Sequence, residues 1–119
     1  MKSLMIMSLD SVLIISFTGI FVGIILLLFS NDEEIKNNFE TNVFGPIETM
    51  KAVLPQMRVQ KSGLIINITS IAGYMGLPYR GVYSASKGAL ELITEALRME
   101  VKSFGIHITN VAPGDFATN

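Results

Sequence analysis

A long stretch without charged residues near the N-terminus constrains the fold of this chain most strongly. No Asp, Glu, Lys or Arg lies between Ser11 and Asn31, and Val12–Phe29 is apolar except for two hydroxyl residues and two glycines. A helix over Val12–Phe29 would be about 27 Å long, close to the roughly 30 Å hydrocarbon core of a bilayer. The stretch predicts an apolar N-terminal helix, so we expect residues 1–31 to be a membrane-spanning segment and the chain to be located at a membrane.

The same stretch has a second interpretation, with a cytoplasmic chain as the alternative location. Ser11–Ser16 would be a buried strand, and Thr18–Ile25 would be a degraded phosphate-binding turn. Such a turn needs a third glycine for close packing of helix against strand, and Ile25 occupies that position. The two remaining glycines equally suit the small-residue face of a membrane helix. This leaves the membrane helix as the favoured interpretation.

Composition excludes several classes of function. The chain has 119 residues, no Cys, one His and a formal net charge of −1. Disulfide frameworks, thiolate zinc sites and cysteine nucleophiles are therefore excluded, and we expect no metal site. Because nucleic-acid binders rely on a basic surface, we also expect no nucleic-acid partner. The length suits one small domain, and we assign it to residues 32–119.

From Ser30 onward, the pattern alternates between helices and strands. Ser30–Glu33 has the form of a capping box, and an amphipathic helix follows with apolar residues at intervals of three and four: Ile35, Phe39, Val43, Ile47, Met50, Leu54 and Met57. Gly45-Pro46 should distort this helix, and Pro55 should end its last regular turn.

The second half of the pattern completes an α/β unit. Leu64–Ile68 predicts a buried parallel strand, Tyr83–Phe104 a second helix with Gly105 as its C-cap, and Ile106–Ala112 another strand. The order helix, strand, loop, helix, strand implies a right-handed crossover between parallel strands. We therefore predict an α/β fold, a partial Rossmann-type doubly wound parallel sheet.

Two residues of the second predicted helix are the first candidates for chemistry. Tyr83 and Lys87 are four positions apart, so their side chains share one helix face. A free phenol has a pKa near 10 and is a weak acid or base at neutral pH, but a nearby ammonium stabilises its phenolate. The pair is a candidate acid/base unit, with an ordinary surface pair as the alternative.

Other candidates lie beyond the ends of the predicted strands or in the first helix. Ser70 follows the first strand, where ligands bind in open α/β sheets, and its hydroxyl can donate to a substrate oxygen or form a turn. Asn42 lies in the first helix, where its side chain holds a bridging water or faces solvent. Pro113-Gly114 ends the last strand on the same side, and Thr118 follows it.

The loop before Tyr83 leaves an alternative open. Tyr74, Met75 and Tyr79 either line a substrate pocket or cover the core. His107 alternates with two isoleucines on a predicted strand and, without Cys or a second His, is not expected to bind a metal.

Four motifs in one order resemble the short-chain dehydrogenase/reductase family. They are Asn42–Gly45 (NVFG), Gly63–Gly73 (GLIINITSIAG), Tyr83–Lys87 (YSASK) and Pro113–Thr118 (PGDFAT). The resemblance covers about residues 32–119, and it is most similar to the 17β-hydroxysteroid and retinol dehydrogenase-like branch. It implies an NAD(P)-dependent oxidoreductase that transfers a hydride between the cofactor and a hydroxyl or carbonyl group of a small, lipophilic alcohol or ketone.

The resemblance also implies a role for each motif residue. Tyr83 would be the general acid/base, and Lys87 would stabilise its phenolate and hold the nicotinamide ribose. Ser70 would polarise the substrate oxygen, and Asn42 would position a water in the proton relay. The nicotinamide end of NAD or NADP would be contacted by the last motif, through Pro113, Gly114 and Thr118.

The chain also departs from the family pattern. The glycine-rich phosphate turn, the acidic or basic selector and the N-A-G turn are not convincingly present, so the chain resembles the catalytic middle portion of such an enzyme. Most of the phosphate-binding half is missing from it, and we expect the fragment to be inactive. The alternative is a non-enzymatic, truncated or pseudogene-derived remnant tethered to a membrane. By resemblance, the helices at 32–60 and 83–104 would form a homo-oligomer interface.

Overall fold

The computed structural model of the chain describes residues 31–114 and the backbone of residues 13–16. Leu13–Ser16 form a strand, β1. The predicted helix over Val12–Phe29 is therefore wrong at these positions, and the alternative strand is confirmed there. The reason is that this backbone pairs in parallel with a second strand, and the ladder satisfies its peptide groups. The rest of that predicted helix and the Thr18–Ile25 turn lie outside the described residues.

The helices of the described part do not support the predicted membrane location. None of them combines the length and the apolar character that a membrane crossing requires. The strand β1 also brings part of the predicted N-terminal segment into the same sheet as residues of the predicted catalytic portion.

Helix α1, Asp32–Phe39, begins one residue later than predicted. The side chain of Asn31 accepts a hydrogen bond from the Glu34 backbone N–H at 2.8 Å, and the Glu34 carboxylate accepts one from the Asn31 N–H at 3.4 Å. The capping box therefore uses Asn31 and Glu34 rather than the predicted Ser30 and Glu33, which have the same spacing of three. The two bonds of Asn31 and Glu34 satisfy two N-terminal N–H groups.

The irregularity expected near Gly45-Pro46 is a π-helical turn. Glu40–Phe44 form this turn, and helix α2, Gly45–Gln60, continues from it. Pro55 does not end the helix as predicted: α2 extends to Gln60 and ends at Lys61 in the left-handed conformation, φ 53°. Most of the apolar pattern lies after the π-turn, and Met50 and Met57 from it are buried on either side of Pro55. This packing stabilises α2 despite the proline.

The remaining elements closely follow the predicted order. Strand β2 is Gly63–Ile68, helix α3 is Gly81–Val101, and strand β3 is Ile106–Val111. A short 3₁₀ turn, Lys102–Phe104, connects α3 to Gly105. Gly105 has φ 71°, so it is the left-handed C-cap that the sequence predicts.

The three described strands form a parallel sheet in the order β1-β2-β3, which confirms the predicted α/β class and a partial Rossmann-type fold. Ile65 of β2 pairs in register with Ile108 of β3, and both point toward helices α2 and α3. The core on this face consists of Met50, Met57, Ile65, Leu90, Val101, Ile106 and Ile108. Within the described residues, the helices α2 and α3 cover this face of the sheet.

Candidate active site

The predicted acid/base pair lies at the start of α3. The Lys87 Nζ atom is 5.9 Å from the centre of the Tyr83 ring, so the two side chains share a helix face as the spacing predicts. Lys87 is only 2% exposed, and its Nζ donates a hydrogen bond to the Ile68 carbonyl at 3.0 Å. Burial lowers the pKa of Lys87 to about 8, because a desolvated ammonium is less stable than a hydrated one.

Ser70 lies two residues beyond the end of β2, where the resemblance places a polarising hydroxyl. Its Oγ accepts a hydrogen bond from the Ala72 N–H at 3.1 Å and caps a 3₁₀ turn, Ile71–Gly73. A hydroxyl has one hydrogen to donate and two lone pairs to accept with. The turn-forming bond uses a lone pair, so the Ser70 hydroxyl keeps its hydrogen for a second partner.

A close backbone contact places this turn against α3. A Cβ atom built on Gly73 would lie 3.1 Å from the Gly88 nitrogen, and one on Gly88 would lie 3.0 Å from the Gly73 carbonyl oxygen. Side chains larger than hydrogen at either position would push the turn away from the helix. Together with the bond from Lys87 to the end of β2, this contact brings the Ser70 turn and the Tyr83–Lys87 pair together at the carboxyl edge of the sheet.

Asn42 lies in the π-turn and is 5% exposed, so the alternative in which its side chain faces solvent is wrong. Its Nδ2 donates one hydrogen bond to Asn38 Oδ1 and another to Ser86 Oγ, each at 3.0 Å. Both amide hydrogens are thereby used. A water held by Asn42 would therefore have to donate a hydrogen bond to an oxygen atom of Asn42. The role of Asn42 in a proton relay stays a prediction.

The loop after β3 reaches the same edge. The Ile71 N–H donates to the Pro113 carbonyl at 3.2 Å, and the Thr69 N–H donates to the Val111 carbonyl at 2.8 Å. These bonds hold Pro113 beside the Ser70 turn. Gly114 follows it, with open space apart from an ordinary contact to Ile71. Thr118 lies outside the described residues.

The loop between Ser70 and α3 exposes three large side chains. Tyr74, Met75 and Tyr79 are 62%, 58% and 58% exposed, so they do not cover the core. Tyr74 and Met75 line an open cleft of about 330 Å³ against the first two turns of α3.

His107 is exposed on β3, and the described residues contain no group of His, Cys, Asp and Glu that could hold a metal ion.

The sequence interpretation missed Asn38 and Ser86, which bind the Asn42 amide. Ser86 is fully buried, and its Oγ also lies 2.9 Å from Asn38 Oδ1 and 2.8 Å from the Tyr83 carbonyl. A signal was present, because Ser86 falls four residues before Leu90 on the buried face of an amphipathic helix. A small polar residue at such a position needs a buried partner.

Comparison with known proteins assigns the chain to a family. The sequence profile of the short chain dehydrogenases matches residues 10–119, so the chain belongs to that family. It is 49% identical over 105 residues to a 3-ketodihydrosphingosine reductase of Bacteroides thetaiotaomicron. That match covers 88% of this chain but only 39% of the relative, so the chain spans about two fifths of that relative's length.

Solved structures agree with this assignment. ElxO with NADP bound has a TM-score of 0.81 and 32% identity, covering 86% of this chain and 41% of that one. NAD+-bound xylitol dehydrogenase has a TM-score of 0.85 and 25% identity, covering 92% of this chain and 43% of that one. A short-chain dehydrogenase from Streptomyces avermitilis is 42% identical with a TM-score of 0.75, covering 78% and 34%.

Proposed function

We propose that the chain carries the proton-transfer site of an NAD(P)-dependent oxidoreductase that reduces a ketone to an alcohol or catalyses the reverse reaction. The observation that carries the proposal is the position of the Tyr83–Lys87 pair beside the Ser70 turn. The Lys87–Ile68 hydrogen bond and the close approach of Gly73 to Gly88 support this placement. Family membership and the nicotinamide-bound structural neighbours support the reaction class.

The described residues fit one end of a nicotinamide cofactor better than the other. The Lys87 ammonium offers donors to ribose hydroxyls, and the open backbone at Gly114 beside Pro113 offers room for a ring, with Thr118 predicted to follow. The pyrophosphate end has less support. That end would need a glycine-rich turn, and in Thr18–Ile25 the position of the third glycine is occupied by Ile25. We therefore expect weak binding of NAD or NADP.

The proposed chemistry divides among the side chains at the sheet edge. A bound nicotinamide supplies the hydride. The Tyr83 hydroxyl donates its proton to the carbonyl oxygen of the substrate, and the Lys87 ammonium stabilises the phenolate that remains. Ser70 donates its free hydrogen to the same oxygen as negative charge develops on it. Asn42 would accept a hydrogen bond from a relay water that returns a proton to Tyr83.

We infer a lipophilic substrate. The three exposed side chains Tyr74, Met75 and Tyr79 lie on the loop between Ser70 and Tyr83 and offer apolar surface to an alkyl chain. The Bacteroides relative is named for a long-chain keto compound, which agrees with such a surface. A long-chain 3-keto amine is accordingly the substrate class to test first.

The proposed homo-oligomer would use the exposed faces of α2 and α3. Leu92 and Met99 are 67% and 70% exposed and lie seven residues apart on one face of α3, and Val59 on α2 is 79% exposed. Such a face supports association with a second copy. Light scattering should give a mass above that of one chain, and Leu92→Glu should return it to a monomer.

The function is tested by measuring carbonyl-dependent oxidation of NADPH and NADH by the purified chain, with each cofactor raised to 10 mM. At micromolar cofactor we expect no turnover, in agreement with the inactivity expected for the fragment. At 10 mM we expect slow turnover of a long-chain ketone, and this turnover should be lost in Tyr83→Phe. The matched control is Tyr79→Phe, which removes an exposed hydroxyl outside the pair. Turnover that survives in Tyr83→Phe would assign the activity to another site or a contaminant.

The second candidate is a non-enzymatic protein. The degraded phosphate-binding turn favours it, since Ile25 stands where such a turn needs its third glycine. It predicts no turnover and no binding of NADH or NADPH at 10 mM by calorimetry. Micromolar binding would contradict it and would show that residues outside the described part hold the phosphates.

A further inference from the structure

Three polar side chains from three elements form a closed hydrogen-bonded triangle beside the catalytic pair. Asn42 Nδ2 donates to Asn38 Oδ1 and to Ser86 Oγ, and Ser86 Oγ lies 2.9 Å from Asn38 Oδ1. Asn38 belongs to α1, Asn42 to the π-turn and Ser86 to α3. The triangle therefore fastens the first helical segment to the helix that carries Tyr83 and Lys87.

Ser86 connects this triangle to the reacting residues through the backbone. It directly precedes Lys87, and its Oγ is 2.8 Å from the carbonyl oxygen of Tyr83. Its single hydrogen can be donated either to Asn38 or to Tyr83, while its lone pair accepts from Asn42. The residue is fully buried, so water does not replace these bonds when they are lost.

The geometry also restricts what Asn42 can do. With both hydrogens of Nδ2 used, only oxygen acceptors of Asn42 are available to a relay water. The two bonds fix the plane of the amide, and they fix the position of the π-turn relative to α3. A small rotation of the turn would move any acceptor of Asn42 relative to the Lys87 ammonium.

We propose that Ser86 and Asn38 are positioning residues that hold the Asn42 turn at a fixed place beside Lys87, a role that rests on the proposed function. Neither residue touches the reacting atoms. Their contribution is to keep the acceptors of Asn42 and the ammonium of Lys87 in one geometry during proton transfer.

A second asparagine–hydroxyl pair on the same helix provides a matched control. Thr94 is also fully buried, accepts from Asn67 Nδ2 at 2.8 Å and donates to the Leu90 carbonyl at 2.7 Å. It lies seven residues beyond Lys87, two helical turns along α3. Loss of either hydroxyl leaves one asparagine N–H without its partner, and Thr94 lies farther along the helix from Lys87. Ser86→Val also adds bulk at a fully buried site, and Ser86→Thr controls for this added bulk because it is of similar size and keeps the hydroxyl.

The test compares Ser86→Val with Ser86→Thr, because valine has a methyl group where threonine has a hydroxyl. Thr94→Val is the control. In the full chain at 10 mM NADPH, we expect Ser86→Val to lower kcat about ten- to a hundredfold with KM unchanged, as for a misplacement of about 1 Å. Ser86→Thr should retain kcat within about threefold, and Thr94→Val should change stability but not kcat. Asn38→Ala should resemble Ser86→Val, and Asn38→Asp, which keeps the acceptor, should be closer to the parent.

A second readout does not depend on turnover. In NMR spectra of the labelled chain, Ser86→Val should shift the Lys87 side-chain resonances and speed exchange of the Asn42 amide hydrogens, whereas Thr94→Val should leave both unchanged. Equal effects of the two valine variants on kcat, or on the Lys87 resonances, would overturn the proposal. An inactive parent chain would instead overturn the proposed function, and the Lys87 resonances would then decide the positioning role alone.

Discussion

The two ends of helix α3 are buried for different reasons. Its first two turns bury polar side chains, with Ser84, Ser86 and Lys87 between 0% and 6% exposed, and these are held by hydrogen bonds. Its later turns bury Leu90 and Val101 within the apolar core, and Thr94 is the one polar side chain buried among them. One continuous helix therefore presents a polar, geometry-setting end at the carboxyl edge of the sheet and an apolar, stabilising end deeper in the fold.

This division predicts that substitutions at the two ends change different properties. Apolar packing contributes in proportion to the area removed from water and does not depend on direction. Hydrogen bonds contribute less net free energy, but they fix the positions of the groups they join. Changes at the start of α3 should alter turnover, whereas changes toward its end should alter the free energy of unfolding.

The largest effect is expected for Tyr83→Phe. Removing the hydroxyl takes away the proposed transferable proton, so turnover should fall by about 10²–10⁴-fold, the usual contribution of general acid catalysis. The free energy of unfolding, measured by urea titration, should change by no more than about 0.5 kcal/mol. A loss of stability that accounts for the loss of turnover would remove the contrast between the two ends.

The next largest effect is expected for Leu90→Ala. Leu90 is 1% exposed in the core, and truncation should lower the free energy of unfolding by about 2–5 kcal/mol through lost transfer energy and the cavity left behind. Turnover per folded molecule should stay close to that of the parent. The measurement pairs urea titration with the NADPH assay below the unfolding transition, and a loss of kcat in fully folded protein would contradict the division.

A smaller effect, specific to the polar end, concerns pH. The pKa of Lys87 is about 8 in the folded chain and 10.5 when unburied, so between these values the unfolded state binds the proton more readily. The penalty for burying the charge is present below about pH 8, and the free energy of unfolding should rise with pH between 8 and 10.5. Lys87→Met should lose this rise.

The same titration should appear in catalysis. Carbonyl reduction should decline as pH rises through about 8, because the neutral amine no longer stabilises the Tyr83 phenolate 5.9 Å from its ring centre. Urea titrations and turnover at several pH values between 7 and 10 measure both effects. Parallel stability curves for the parent and Lys87→Met would show that Lys87 does not titrate in this range.

The sequence predicts those elements and site residues that depend on the spacing of residues close together in the chain. The spacing of Tyr83 and Lys87 predicts a shared helix face, and the position of Ser70 after an apolar strand predicts the sheet edge; the structure agrees with both. The sequence favours a helix where the structure has strand β1, because a short apolar run within a longer one has no period that separates strand from helix. Its parallel pairing with β2 depends on residues about fifty positions away.

The triangle around Asn42 was missed for the same physical reason. Asn42 and Ser86 are 44 residues apart, and a sequence without its fold does not indicate which buried polar groups become partners. The π-turn that buries Asn42 was expected only as a distortion near Gly45-Pro46, since helix irregularities depend on packing as well as on proline.

The smallest effect is expected at two strained positions, one before the amino end of β2 and one in the loop before α3. Lys61 after α2 and Tyr79 before α3 have φ values of 53° and 63°, in the left-handed region that favours glycine. Tyr79 is the third residue of a turn closed by the Arg80 N–H and the Leu77 carbonyl at 3.1 Å. Glycine relieves the strain at these positions, but it also raises the entropy of the unfolded chain. The net effect should make Lys61→Gly and Tyr79→Gly each more stable by up to about 1 kcal/mol, measured as a rise in Tm.

Only one of these variants should affect the reaction. Lys61 lies at the amino end of β2, whereas Tyr79 exposes its ring on the loop between Ser70 and Tyr83. Tyr79→Gly should therefore raise KM for a long-chain ketone by about threefold, while KM for a short ketone and kcat for both stay unchanged. Lys61→Gly should leave all four constants unchanged. If Tyr79→Gly gains stability with no change in KM, the strained ring does not touch the substrate, and the apolar surface of this loop does not select lipophilic ketones.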